Sequence, residues 1–174
     1  FPGKTFFRTN SSSSHLFGLE PHFGCCTANF NQGWPKLALH TFLRGARGIH
    51  VAMLLPATLQ TTIGGVGVKL TCETEYPFRH TATFKVKVDA PVRFALSIRL
   101  PAFAKQVTLC GKPVNARGHI TLNRKWRGEE TLTLTFSDTP HLVSRPYGLK
   151  AVEYGPLVFS LPIETEYRKR EYER

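Results

Sequence analysis

The chain has 174 residues, 41% of them hydrophobic, enough to bury a core within one domain or one domain plus a piece of another. No run of about 18 apolar residues occurs, so a membrane-spanning helix is excluded. The net charge of +11, from 23 Lys and Arg against 12 Asp and Glu, favours polyanionic partners. However, the basic residues are spread singly, no nucleic-acid reader motif is present, and nucleic acid is not an expected partner.

The chain opens on Phe1-Pro2-Gly3 with no leader pattern, and it reads as a segment of a longer protein. The parent's compartment is therefore not legible. Ser11 to Ser14 form a polar run that suits an exposed loop, with His15 as a further loop residue. Leu19-Glu20-Pro21-His22-Phe23-Gly24-Cys25-Cys26 follows. From Thr27 to Leu43 the apolar residues Leu37, Leu39, Phe42 and Leu43, with Ala28 and Ala38, read as a helix. Gly33 and Pro35 should kink or restart it, because Pro cannot donate its backbone hydrogen bond. Gly45 and Gly48 should end it.

After residue 48 the period becomes two. Ala82, Phe84, Val86 and Val88 alternate with Thr83, Lys85 and Lys87. Phe94, Leu96, Ile98 and Leu100 alternate with Arg93, Ser97 and Arg99, and Leu132, Leu134 and Phe136 with threonines. Shorter matches fall at 49–55, 66–76, 106–109, 119–123 and 157–161. Strands at this spacing, each with one apolar face and separated by Gly and Pro, predict a mainly β fold: an antiparallel β-sandwich of roughly eight to ten strands. The boundary falls at a terminal helical piece, 1–47, and a sandwich domain, 48–174. A lone helix cannot bury its own stripe, so it must pack on the sandwich or on helices of the parent chain.

Four cysteines are too few for a disulfide scaffold in a chain of this size. Cys72 shares the phase of Val68 and Leu70 and reads as a core thiol. Cys110 precedes Gly111 at a hairpin turn. Cys25 and Cys26 differ from these. A turn at Gly24 followed by a helix start would place them near unpaired N–H groups, which lower a thiol's pKa and favour the thiolate that serves as nucleophile or zinc ligand. The alternative is a pair of small buried residues. Glu129 and Glu130 are neighbours in a strand and point to opposite faces, so they cannot jointly flank one bond.

Several neighbouring side chains have two readings each. Glu20 either lines a ligand site or stabilises the turn before Pro21. His22 either bonds a ligand hydroxyl or holds the loop. Trp34 and Phe23 either stack on a ligand ring or pack the helix, and packing is the commoner fate of such aromatics.

The phrase Glu20-Pro21-His22-Phe23-Gly24-Cys25-Cys26-Thr27-Ala28-Asn29, with Gln32-Gly33-Trp34-Pro35-Lys36, resembles the catalytic cysteine segment of glycoside hydrolase family 127, the β-L-arabinofuranosidases. Downstream phrases fall in the family's order: Gly67-Val68-Lys69-Leu70-Thr71, Tyr76-Pro77, Leu96-Ser97-Ile98-Arg99-Leu100-Pro101, Gly111-Lys112-Pro113-Val114 and Glu153-Tyr154-Gly155-Pro156. The resemblance runs from about residue 19 to about residue 161. It implies the end of an (α/α)6 barrel followed by a β-sandwich. It also implies a retaining glycosidase that hydrolyses terminal L-arabinofuranosyl groups of plant glycans, with Cys25 as nucleophile and Cys25 and Cys26 as two zinc ligands. The other ligands and the acid/base Glu would lie upstream of this segment, which alone would be inactive. Phe23 stands where some members carry a further cysteine. Besides the glycan, the implied partner is the rest of the parent chain, with no membrane. The competing readings are a non-catalytic β-sandwich carbohydrate-binding or interaction module with structural cysteines, and a redox or zinc protein without sugar chemistry.

Overall fold

The computed structural model describes residues 29–162 and 164. Its one complete α-helix, α1 (Gly33–Leu39), leads into thirteen strands. These are β1 (Phe42–Gly45), β2 (Gly48–Val51), β3 (Ala57–Ile63), β4 (Val66–Thr74), β5 (Thr81–Val88), β6 (Val92–Arg99), β7 (Lys105–Leu109), β8 (Lys112–Pro113), β9 (His119–Trp126), β10 (Glu129–Ser137), β11 (His141–Ser144), β12 (Lys150–Tyr154) and β13 (Leu157–Phe159).

Two sheets form the sandwich. The smaller has the order β1-β2-β6-β9 and the larger β3-β4-β5-β10-β7-β8. All pairings are antiparallel except β2 with β6. The fold is therefore the mainly β, antiparallel sandwich that the alternation predicts. Every second residue of each central strand points inward, and both sheets feed one core. Ile49, Phe94, Leu96, Ile98 and Trp126 come from one side. Leu70, Cys72, Phe84, Val86 and Leu134 come from the other.

Cys72 is a core thiol, as its phase predicts. Burial, aided by the negative charge of Glu73, pushes its pKa up to about 11, so it stays protonated and inert at neutral pH. Cys110 and Gly111 form the two-residue β7–β8 turn with φ of 51° and 74°. Positive φ at both positions is what a tight hairpin of matching twist requires. Glu130 pairs with Arg124 at 2.6 Å, while its neighbour Glu129 is exposed on the opposite face.

The helix expected over 27–43 is shorter. A turn at 31–32 precedes α1, which fits the restart expected at Gly33 and Pro35, since Pro is tolerated in a first turn. The helix stops at Leu39. Phe42 and Leu43 belong to β1, because Phe42 pairs with Val51 and Leu43 with His50. Gly45 and Gly48 thus close a β-hairpin and do not cap a helix. At Gly48 any Cβ would lie 2.0 Å from the Ala95 carbonyl oxygen, so only glycine lets β2 approach β6 here.

A third sheet, β11-β12-β13, docks on one end of the sandwich. The Gly155 backbone N–H donates to the Asp138 carboxylate at 2.8 Å, and Lys105 lies 3.5 Å from the other carboxylate oxygen. The Gly155 hydrogen bond, then that from the Thr139 backbone, holds the Asp138 carboxyl below the ordinary range. A lowered folded pKa adds stability that is complete above the unfolded value of about 4 and is lost as pH falls through the folded value. Acid titration of the thermal midpoint should therefore show a loss below about pH 4 that an Asp138→Asn variant lacks. Identical acid profiles for the two proteins would contradict this.

Candidate catalytic segment and the cleft beside it

Four of the five candidate site residues, Glu20, His22, Cys25 and Cys26, lie outside the described residues. Phe23 and His15 do too. The fifth, Trp34, sits in the first turn of α1 and is 73% exposed. Among the described residues α1 has no buried side chain, and Trp34 presents its ring to solvent.

Side chains and backbone tie α1 to the sandwich just after this segment. Thr41 is 1% exposed. Its hydroxyl donates to the Leu37 carbonyl at 3.2 Å and so occupies one of the acceptors left open at the helix end. Its own carbonyl accepts from the Ala52 backbone N–H at 2.9 Å, beyond the end of β2. His40 adds a second bond, from the ring Nδ1 to the Lys36 carbonyl at 2.6 Å. The helix that follows the cysteine segment is thus fixed against the small sheet. A Thr41→Val variant keeps the shape and deletes one buried hydrogen bond. It should lose about 1 kcal/mol in denaturant unfolding, whereas His40→Ala at the exposed end should lose less.

Beside α1 lies a cleft of about 360 Å³ lined by Leu37, Met53, Leu55, Tyr76, Arg99 and Phe103, among others. Its walls are mostly apolar, with two polar side chains. Burial raises the Tyr76 pKa, partly offset by the positive charge of Arg99, so the phenol remains a neutral donor at physiological pH. The Tyr76 backbone N–H is pinned to the Thr74 hydroxyl at 3.0 Å, next to the cis Tyr76–Pro77 bond. Behind Tyr76, His80 stacks between Tyr154, at 4.7 Å, and Phe136, at 5.1 Å. Both His80 ring nitrogens are buried without a hydrogen-bond partner among the described residues. The alternation rules do not reach this cluster, because Tyr76, His80 and Phe103 all lie between strands. The Tyr76-Pro77 dipeptide was its one visible sign.

Among the described residues, no group of three or more His, Cys, Asp or Glu could hold a metal ion. Cys72 is a protonated core thiol, and Cys110 lies exposed in a turn. Any zinc site would therefore be built from Cys25, Cys26 and other groups outside the described residues. No described helix is long and apolar enough to cross a membrane.

Comparisons with known proteins agree with this geometry. Residues 48–137 match the family described as beta-L-arabinofuranosidase, GH127 middle domain. Among solved structures, Ara127N, a GH127 β-L-arabinofuranosidase from Geobacillus stearothermophilus T6, is 25% identical and superposes with a TM-score of 0.67 over 78% of this chain and 24% of its own. A glycoside hydrolase at 22% identity covers 78% of this chain and 25% of its own, with a TM-score of 0.65. A GH127 β-arabinofuranosidase, also at 22%, covers 78% of this chain and 26% of its own, with a TM-score of 0.64. The chain spans about a quarter of the length of each. None of the curated proteins matches it.

Proposed function

Because this chain belongs to glycoside hydrolase family 127, the β-L-arabinofuranosidases, we propose that it carries the cysteine nucleophile of a retaining glycosidase and the sandwich that supports it. The substrate of the whole protein would be the terminal β-L-arabinofuranosyl group of a plant-type glycan. The supporting observation is the family match over 48–137, in sequence register behind the Cys25–Cys26 phrase.

The chemistry follows from the residues. The Cys25 thiolate attacks the anomeric carbon, forming a C–S bond as the C–O bond to the leaving group breaks. A carboxylic acid in the remainder of the protein gives its proton to the departing oxygen. Water then attacks the same carbon, the C–S bond breaks, the thiolate returns and the carboxylate takes the proton from water. Two displacements at one carbon retain its configuration. Cys25 and Cys26 would hold a zinc ion, whose chemistry there is to keep the thiol of Cys25 ionised at neutral pH. Two thiolates suit a tetrahedral sulfur-rich site, with the other ligands coming from the rest of the protein. His22 and Glu20 would face the sugar, and the exposed ring of Trp34 would offer it a stacking surface. Alone, the 174-residue chain would lack the acid/base and be inactive.

The test is the first-formed product of the full-length protein acting on a β-L-arabinofuranoside. Proton NMR should show β-L-arabinofuranose appearing before mutarotation. An α product, or glycan binding with no turnover, would defeat the reading.

A further inference from the structure

The small sheet carries positive charges and no negative ones. Its strands β1, β2, β6 and β9 contain no Asp or Glu at all. On the outward face, Arg93 sits directly opposite Lys125. Like charges at opposed positions repel, and a face normally offsets them with a carboxylate. Here none is available, and among the described residues neither Arg93, Lys125 nor Arg47 of the β1–β2 turn has an ion-pair partner.

Next to this pair the face is hollow. One cross-strand row is Gly48, Ala95 and Asn123, and the next is His50, Ser97 and Thr121. Glycine and alanine leave a groove of about 360 Å³, walled by Arg47 and His50 on one side and Thr121 and Asn123 on the other. The floor is polar: the Ser97 and Thr121 hydroxyls lie 3.0 Å apart, and Ser97 is otherwise buried. Gly48 cannot be enlarged without striking Ala95, so the backbone itself keeps the floor low.

We propose that this groove binds an acidic saccharide, a uronate-bearing stretch of glycan. The guanidinium groups of Arg47 and Arg93 match a carboxylate in charge and in paired donors. The hydroxyls of Ser97 and Thr121 and the amide of Asn123 match sugar hydroxyls. No outward residue of these four strands is Phe, Tyr or Trp, so the stacking platform that single-stranded nucleic acid needs is missing. The glycan identity of the ligand rests on the proposed function. The anionic preference rests on the groove.

Binding is measured without turnover, by calorimetry of the full-length protein with oligogalacturonate and with an uncharged oligosaccharide of the same length that it does not hydrolyse. The acidic oligomer should bind at least about tenfold more tightly, and added salt should weaken it. Arg47→Ala with Arg93→Ala should lose about tenfold or more, with an unchanged thermal midpoint. Lys69→Ala with Lys87→Ala, on the outer face of the large sheet, should change affinity less than about twofold. Equal loss in both double variants would overturn the proposal in favour of diffuse net charge. Equal binding of the neutral oligomer, or equal competition by single-stranded DNA, would also overturn it. Cys25→Ser should leave this affinity unchanged, so failure of the catalytic reading and failure of the groove are separate results.

Discussion

In the full-length protein, Cys25→Ser should lower kcat/KM on a β-L-arabinofuranoside by roughly 10⁴-fold or more, the scale on which removal of a nucleophile acts. A serine hydroxyl keeps the size of the thiol but stays protonated at neutral pH and is a far weaker nucleophile than the thiolate. KM should move much less, because the sugar contacts proposed for His22 and Glu20 remain. The fold should be unaffected, since both sheets draw their core from residues 49 to 136. Circular dichroism and the thermal midpoint check that point. A variant that kept more than about a tenth of native turnover would remove Cys25 from the mechanism. Zinc content gives a second readout, because Cys25→Ser and Cys26→Ser should both lower it.

Trp126→Ala should destabilise the sandwich by about 3–5 kcal/mol, a large share of a single domain's stability. Trp126 is 0% exposed at the end of β9. Its ring stacks on Phe94 at 5.4 Å, and the Arg124 guanidinium lies 4.2 Å from the ring centroid. The indole N–H donates to the Phe94 carbonyl at 3.1 Å, so truncation also removes the partner of a buried acceptor. Trp126→Phe separates these effects. It should restore most of the packing and leave about 1 kcal/mol for the hydrogen bond. Urea unfolding of the chain measures both. A loss below about 1 kcal/mol for the alanine variant would mean that Trp126 does not hold β9 to the core.

The central strands were legible because each is buried on one face only. Thr81–Val88 and the run from Val92 show strict alternation, and the structure places strands there. Residues 57–63 were missed. As the edge of its sheet, β3 is only half-buried, and a threonine, Thr61, takes one of its inward positions. The short strands β11 and β12 carry as much polar as apolar surface and leave little period to read. At Phe42 and Leu43 the apolar spacing fits helix and strand equally over so few residues, and pairing with β2 decides the matter. The candidate site was legible in a different way. Cys25 and Cys26 stand out by residue type and wording, not by periodicity, so the sequence names them without placing them. The acid-free face of the small sheet was not legible at all. It becomes a face only when β2 and β9 come to flank β6, and net charge alone does not say where the positive residues gather.

The most direct measurement is peptide mapping of the full-length protein, acid-quenched during turnover of a β-L-arabinofuranoside with a good leaving group. A pentosyl increment on the peptide that contains Cys25, absent in the Cys25→Ser variant, is the predicted result. An increment on a carboxylate elsewhere, or none on any peptide under conditions of rapid turnover, would contradict a cysteine nucleophile in this chain.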